Sequence, residues 1–343
     1  MTIKDVAEYC GVSVSSVSRV LNNHPDVSEK VRKRVLEAVS TLHYVPNGSA
    51  RDLSRGQTDA IGLIVRGAGN PFFTPIIRSI EKAILDAGYS MEVYQIPAGD
   101  DELAAGASLA RAKRLKGVVL LGGDFDYTAE KTAVLNIPFV CCTFTNSFGT
   151  LDRKTFSSVS IDDEAEAYRA VKYLTDRGHR KIAILLDSMH DRSISELRYR
   201  GYCRALSEAG IRQDKTLVKE INYYDMDGAY KGIQTLLAQR SDLTAIFTIS
   251  DTMGIAVLKA LYEAGKRVPE DCSVISIDGL EISRYTIPTL TTLEQPKEEL
   301  AGQAVSLLIR KIENRGENAH VYLATKLREG KSVGSITDFQ IKK

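Results

Sequence analysis

Apolar residues recur at helical spacing over the first forty or so positions and in strand-length runs after residue 60, so the chain changes texture near its sixtieth residue. Thr2-Ile-Lys-Asp5 reads as a capping box, with Thr2 as N-cap and Asp5 reaching back. Ile3, Val6, Ala7 and Cys10 then fall on one helical face, and Gly11 ends this helix in a tight turn. Ser13 caps a second helix with a buried stripe of Val17, Val20 and Leu21, and Asn22-Asn-His-Pro25 closes it. A third begins near Ser28, with Glu29 in its first turn and Val31, Val35, Val39 and Leu42 turned inward. Helix, glycine turn, helix, loop, helix is the order of a helix-turn-helix module. Next, Pro46 breaks the third helix and Asn47 caps a piece of about two turns before Gly56. A helix this short is marginal in water, and Gly48 near its start costs about 1 kcal/mol more, so the spacing predicts order only against a partner.

From Ala60 the runs AIGLIV (60–65), GVVLLG (117–122), FVCCT (139–143), KIAILL (181–186), AIFTIS (245–250) and CSVISI (272–277) alternate with amphipathic stretches of helical length. The helical stretches end in DAGY at Tyr89, DRGH at His179, EAGI at Ile211 and EAGK at Lys266, each with a glycine suited to the left-handed position past a helix end. Repeated strand–helix–glycine–strand units predict an α/β fold with parallel sheets covered by helices on both faces. So many elements call for two sheets, and ligands of such folds bind beyond the strand C-termini, in the cleft between lobes.

A chain of 343 residues suits two or three folding units, and 43% apolar with 26% charged residues is ordinary for a soluble protein. Net charge is only +1, so a nucleic-acid site has to be local. Cys10, Cys141, Cys142, Cys203 and Cys272 show no C-x-x-C spacing, which fits a reducing cytoplasm and no disulfide frame. Cys141 and Cys142 alternate across one strand and are expected in core. The N-terminus is charged within five residues, without a signal peptide, and no apolar run is long enough for a bilayer. The five histidines are scattered, and there is no H-x-x-x-H pair or G-x-S-x-G elbow. Gly67-Ala-Gly69 follows a strand, but Phe72 stands where a dinucleotide fingerprint needs glycine. Asp162-Asp-Glu164 is read as acids favouring a helix N-terminus. The expectation is therefore a protein that is not an enzyme and uses no cofactor or metal.

SVSSVSRVLN, Ser13 to Asn22, is the stretch that composition leaves unexplained. Val14, Ser15, Ser16, Ser18 and Arg19 are not needed for the core. Short hydroxyl side chains at a helix N-terminus allow close approach to phosphates, and an arginine one turn on is of the type that reads guanine in a major groove. A small solvated helix fits the same residues. Residues 1–59 hold eight Lys/Arg against seven Asp/Glu, so charge does not choose between the two.

TIKDVAEYCGVSVSSVSRVLNNHPDVSEKVRKRVLEAVSTLHYVPNGSARDL resembles, without gaps, the N-terminal region of the lactose/galactose-repressor family of bacterial transcription regulators. DVAEYCGVS, VSRVLN, YVPN and ARDL carry the resemblance, and NPFF, RGHRKIAIL and PTLTTLEQP extend it along the core. It implies a helix-turn-helix domain at 1–45, a hinge helix and linker at 46–58, and a two-lobed core at 59–343 similar to periplasmic sugar-binding proteins. The lobes implied are 59–160 with 291–320 and 161–290 with 321–343, joined by three crossings. Val14, Ser15 and Arg19 match positions that face base edges, and Ser16, Ser18, Asn22 and Ser28 match positions that approach phosphates. Leu53 matches a leucine wedged between base steps by hinge helices that pair in a homodimer. Val14 and Ser15 are smaller than the base-reading side chains of some members, so no operator sequence carries over.

Arg198 matches an arginine that forks onto effector oxygens, and Asp278 an acid facing the same cleft. Phe72, Phe73 and Tyr224 would stack on or wall the ligand, and Asp251 sits where members place polar contacts. A surface helix is the competing reading of Arg198, and the two phenylalanines equally suit a core. Thr143 stands where many members carry an aspartate. The resemblance implies partners: double-stranded operator DNA, a small effector (a sugar or sugar derivative), and a second copy of the chain. A nucleobase effector or a phosphocarrier-protein corepressor is the alternative within that class, and a solute receptor or an α/β enzyme lies outside it.

Overall fold

The computed structural model describes residues 2–21, 26–42, 44, 59–221 and 225–336. The chain divides into two units, 1–58 and 59–343. The expected hinge helix with Leu53, and also Asn22 and Tyr224, lie outside the described residues.

In the first unit α1 (Ile3–Cys10), α2 (Val14–Leu21) and α3 (Glu29–Thr41) pack around Val6, Ala7, Cys10, Val17, Val20, Val35 and Ala38. Thr2 and Asp5 form the capping box, and Gly11 takes φ +59°. The Ser13 hydroxyl accepts from the Ser16 amide at 3.1 Å, which starts α2 where the sequence places it. The eight-residue α1 and α2 would not hold alone, so burial of these stripes against one another and against the 13-residue α3 supplies the order.

The second unit begins with β1 (Ala60–Arg66), α4 (Phe73–Asp86), β2 (Ser90–Ile96), α5 (Glu102–Lys113), β3 (Gly117–Leu121), the short α6 (Ala129–Thr132), β4 (Phe139–Cys142) and β5 (Ser157–Ser160). It continues with α7 (Asp163–Thr175), β6 (Ile182–Leu186), α8 (Ile194–Glu208), β7 (Val218–Glu220), α9 (Met226–Gln239), β8 (Ala245–Thr248), α10 (Asp251–Glu263), β9 (Ser273–Asp278) and β10 (Thr291–Glu294). Last come α11 (Lys297–Ile312), β11 (His320–Tyr322) and β12 (Lys326–Arg328). The strands form two six-stranded sheets, ordered β11-β5-β4-β3-β1-β2 and β12-β10-β9-β8-β6-β7. Every pairing is parallel except β10 with β12.

The apolar runs are buried on both faces, as parallel strands between helices must be. In the first sheet Ile61, Leu63, Val65 and Cys142 pack toward α4 and α11, while Ile64, Val118, Leu120 and Cys141 pack toward α5. Gly88, Gly178, Gly210 and Gly265 all take positive φ, between 65° and 86°, at the four repeated helix ends.

The chain passes between sheets three times: after β5, between β10 and α11, and between β11 and β12. One expected boundary moves. Residues 291–294 pair with Ile275–Asp278 and so belong to the second sheet, and the first lobe resumes only with α11. Strand pairing decides this, and nothing in TTLE itself names its neighbour. Two crossings are tied together where the Thr325 hydroxyl donates to the Glu166 carboxylate at 2.6 Å and Arg169 joins the same oxygen. Among the described residues no helix is long and apolar enough to cross a membrane.

Candidate functional site

Two surfaces carry the residues singled out by sequence. On the first unit, Val14, Ser15, Arg19 and Ser28 are exposed, and Ser16 and Ser18 are half-buried. The Ser13 hydroxyl bonds those of Ser15 and Ser16 at 2.7 and 2.9 Å, which draws the three serines together at the start of α2. Arg19 pairs with Asp26 at 3.1 Å. Both are more than half exposed, so the pair is worth about 0–1 kcal/mol and is readily exchanged for another acceptor. Ser28 starts α3 in extended backbone without a side-chain cap bond.

On the core, the residues converge where the β8 and β9 strand ends meet the first turns of α7 and α8. Gly201 is what allows this, because a Cβ there would stand 2.2 Å from the Glu164 carbonyl oxygen. Only glycine lets α8 lie against the backbone of α7, and that approach brings Arg198 to Asp163. Arg198 Nε and Nη2 donate to Asp163 Oδ1 at 3.0 and 2.8 Å, and Nη1 donates to the Ile249 carbonyl. Arg198 and Asp163 are each 3% exposed, so Arg198 is no surface arginine. Burial raises the Asp163 carboxyl above its ordinary pKa and Arg198 works against that rise.

Asp278 ends β9 at φ +133°, a region that residues other than glycine rarely occupy. Thr143, the residue just past β4 in the other lobe, takes φ +75°, again strained for a β-branched residue. Each lobe therefore has a strained residue at a strand end. Asp278 accepts from Gln295 Nε2 at 3.0 Å, and Lys297 Nζ donates to the carbonyls of Asp278 and Gly279 at 2.6 and 2.9 Å. Burial pushes the Asp278 carboxyl up to about 7, with Arg198 opposing and Asp251 adding to the rise. The folded core thus binds this proton more tightly than the unfolded chain, whose carboxyl titrates near 3.8. The stability this confers is complete below about pH 4 and lost as pH rises through 7. Asp163 and Glu102, also raised, act in the same direction. The thermal midpoint of the ligand-free core is expected to fall between pH 5 and pH 8, less steeply in Asp278→Asn. Equal slopes in both proteins would clear Asp278 of the titration.

Three expected contacts need correction. Asp251 is 0% exposed, and its carboxylate accepts from the Leu280 amide at 2.7 Å, Ser283 at 2.8 Å, Thr292 at 2.6 Å, and Ser276. Its lone pairs are consumed inside the second lobe, so it braces the wall of the cleft and does not reach a ligand. Phe72 and Phe73 are buried among Ile76, Ile80 and Leu280, with ring centroids 5.9 Å apart. They belong to the core and leave little ring face for stacking; Lys297 Nζ lies 5.7 Å from the Phe72 ring.

Sequence reasoning missed Asp163, Gln295 and Lys297, and in the first lobe Arg66, Glu102, Asp124 and Tyr127. Asp163 was within view in Asp162-Asp-Glu164. Asp162 does cap the helix, accepting from the Ala165 amide at 3.0 Å, but the next carboxylate turns inward to Arg198. The lobes meet through α8: Ile194 and Leu197 pack against the first lobe's core, Arg200 lies 4.9 Å over the Phe148 ring, and Arg192 pairs with Asp126 at 3.8 Å. Arg198 sits on this same helix, so whatever moves it bears on how the lobes meet.

Residues 2–47 match the profile of bacterial regulatory proteins of the lacI family, and residues 171–333 that of a periplasmic binding protein-like domain. An HTH-type transcriptional regulator MalR of Clostridium butyricum is 39% identical over 98% of this chain and 100% of its own length. A ribose operon repressor of Haemophilus influenzae is 33% identical over 92% of this chain and 93% of its own. Among solved structures, the complex of the transcriptional regulator CelR with cellobiose superimposes with a TM-score of 0.71 at 28% identity, covering 97% of this chain and 99% of that one.

Proposed function

Because the chain belongs to the lacI family of bacterial regulatory proteins, it is a DNA-binding transcription regulator, and we propose that it is a repressor whose hold on a double-stranded operator is set by a sugar bound between its core lobes. The observation that carries this reading is the placement of Arg198. It is buried with Asp163 and Asp278 at the strand ends of the second lobe, on the helix that touches the first lobe. A ligand that binds one arrangement of the lobes more tightly than another shifts their population by that difference in affinity. A relative named for the ribose operon and a structural neighbour holding cellobiose support a sugar.

On the DNA side, Val14, Ser15 and Arg19 face bases, and Ser16, Ser18, Asn22 and Ser28 face phosphates. The family resemblance assigns residues 46–58, outside the described residues, to a hinge that contacts the duplex. The working unit is a homodimer acting where the chromosome is. Tyr285 and Ile287, 77% and 97% exposed on one loop of the second lobe, are apolar surface of the kind a second copy covers.

Selection of an operator from random duplexes, followed by gel shift with and without sugars, tests the reading. Leu53→Ala is expected to weaken specific binding at least tenfold, because the apolar wedge that holds a kinked base step open is lost. Unchanged affinity would dismiss the hinge assignment. An operator complex indifferent to every sugar that binds the core would dismiss the switch.

A further inference from the structure

The first lobe has its own arginine–carboxylate pair, at the C-terminal end of its sheet. Arg66 ends β1, and its guanidinium bonds the Asp124 carboxylate just past β3. Behind them lies Glu102 from the first turn of α5, 1% exposed, with Oε2 3.4 Å from Arg66 Nη1. Its other oxygen accepts from the Asp124 amide at 2.8 Å and from the Tyr127 hydroxyl. Asn146 fixes Tyr127 in turn, accepting from its amide at 2.6 Å and donating to its carbonyl at 3.0 Å. Gly123 is required for this nesting, because a Cβ there would stand 2.7 Å from both Glu102 Oε1 and the Tyr127 oxygen.

Two features mark the cluster as more than a structural knot. Glu102 Oε2 and Arg66 Nε are buried, and neither has a hydrogen-bond partner within the chain. Such atoms are costly to bury unless some polar group meets them. Asp124, by contrast, is 48% exposed, so the pair has a buried root and an open tip.

The cluster stands at the C-terminal end of a parallel sheet, the end at which such folds bind ligands. Thr143, just past β4 beside it, carries no charge, so Asp124 supplies the acid on this side. A Cβ at Gly122 would meet both the Arg66 carbonyl, at 3.0 Å, and the Phe73 ring, at 3.1 Å. The chain of contacts continues from Phe72 to Lys297 and from Lys297 to Asp278. One lobe's pair is thereby linked to the other's.

We propose that Arg66 and Asp124 are the first lobe's half of the effector site, held in place by the positioning residues Glu102 and Tyr127, and that they select a neutral sugar over a phosphorylated one. This rests on the reading of the cleft as a sugar site. The pair offers donors and an acceptor side by side, the set that grips adjacent hydroxyls. Charge excludes the anionic alternative. Arg66 faces Glu102 and Asp124, Arg192 and Lys131 face Asp126, Arg198 faces Asp163, and Lys297 faces Asp278 and Glu294. Among the described residues each of these five cations is already matched by a carboxylate, and none of the five is in excess to hold a phosphate.

Calorimetric titration of the full-length protein with glucose, ribose, maltose and cellobiose, and with glucose 6-phosphate and ribose 5-phosphate, decides it. A neutral sugar is expected to bind and its phosphate ester to bind at least tenfold more weakly. Asp124→Asn and Asp124→Ser are each expected to weaken the neutral sugar about tenfold or more, the usual scale for losing a charged hydrogen bond. Melting of each variant without sugar verifies folding. Tighter binding of a phosphate ester, or no neutral sugar bound at 10 mM, would overturn the class assignment. Wild-type affinity in both Asp124 variants would overturn the pair. If Arg198→Lys then still abolished binding, the cleft would stand as the effector site without Arg66 and Asp124.

Discussion

Arg198→Ala is expected to melt about 10 °C below the wild-type protein and to lose its response to sugar. The substitution leaves Asp163 in place, 3% exposed, without the cation that its carboxylate shares two hydrogen bonds with. Removing one member of a buried pair costs about 3–5 kcal/mol, mostly as the penalty of the charge left behind. For a core of this size each kcal/mol moves the midpoint by roughly 2–4 °C. Arg198→Lys separates stability from recognition: a lysine keeps the charge beside Asp163 but not the planar fork. It should recover much of the lost stability and none of the sugar affinity. Differential scanning calorimetry with and without sugar reads both quantities. A wild-type midpoint in Arg198→Ala would mean that the buried pair contributes nothing, and the site would lose its centre.

Asp251→Ala is expected to be the more damaging change to the fold, lowering stability by about 4 kcal/mol or more and leaving little soluble protein. Its carboxylate is the common acceptor for Ser276 on β9, Thr292 on β10, Ser283, and the Leu280 amide. Deleting it strands several buried donors at once, each costing about 1–3 kcal/mol. Asp251→Asn keeps one acceptor oxygen and should lose about half as much, as urea midpoints would show. Asp278, on the same wall, predicts the opposite sign. Its charge is the unfavourable one, so Asp278→Asn should stabilise the core at pH 8 while Asp251→Asn weakens it. If both substitutions moved stability the same way, the division of labour between the two aspartates would fail.

Lobe crossings and site chemistry were unevenly legible in the chain. The six apolar runs became β1, β3, β4, β6, β8 and β9, because a strand buried on both faces must be apolar throughout. β2, with its largely exposed SMEVYQI, and the three-residue strands β7, β11 and β12 have no such signature. They are strands only because a neighbour offers them hydrogen bonds. TTLE was assigned to the wrong lobe for the same reason.

The site divides along a similar line. Arg198 and Asp278, the proposed effector contacts, could be singled out because their flanking motifs are visible in the chain. Asp251 was visible too, but with a ligand-contact role that its neighbours overrule. Whether an aspartate meets a sugar or four internal donors depends on what stands opposite it, and its own flanking residues do not encode that.

By itself, the sequence determined the three N-terminal helices, the six strands buried on both faces and the family: periodicity and capping are local, and the lacI-type motif is contiguous. Tertiary structure alone decided the pairs, Arg198 with Asp163 across 35 residues and Arg66 with Asp124 across 58. The physical reason is range. Helix caps and strand patterns are settled by neighbours a few residues away, whereas the ionisation and reach of a buried charge are set by whatever the fold places within a few ångströms of it.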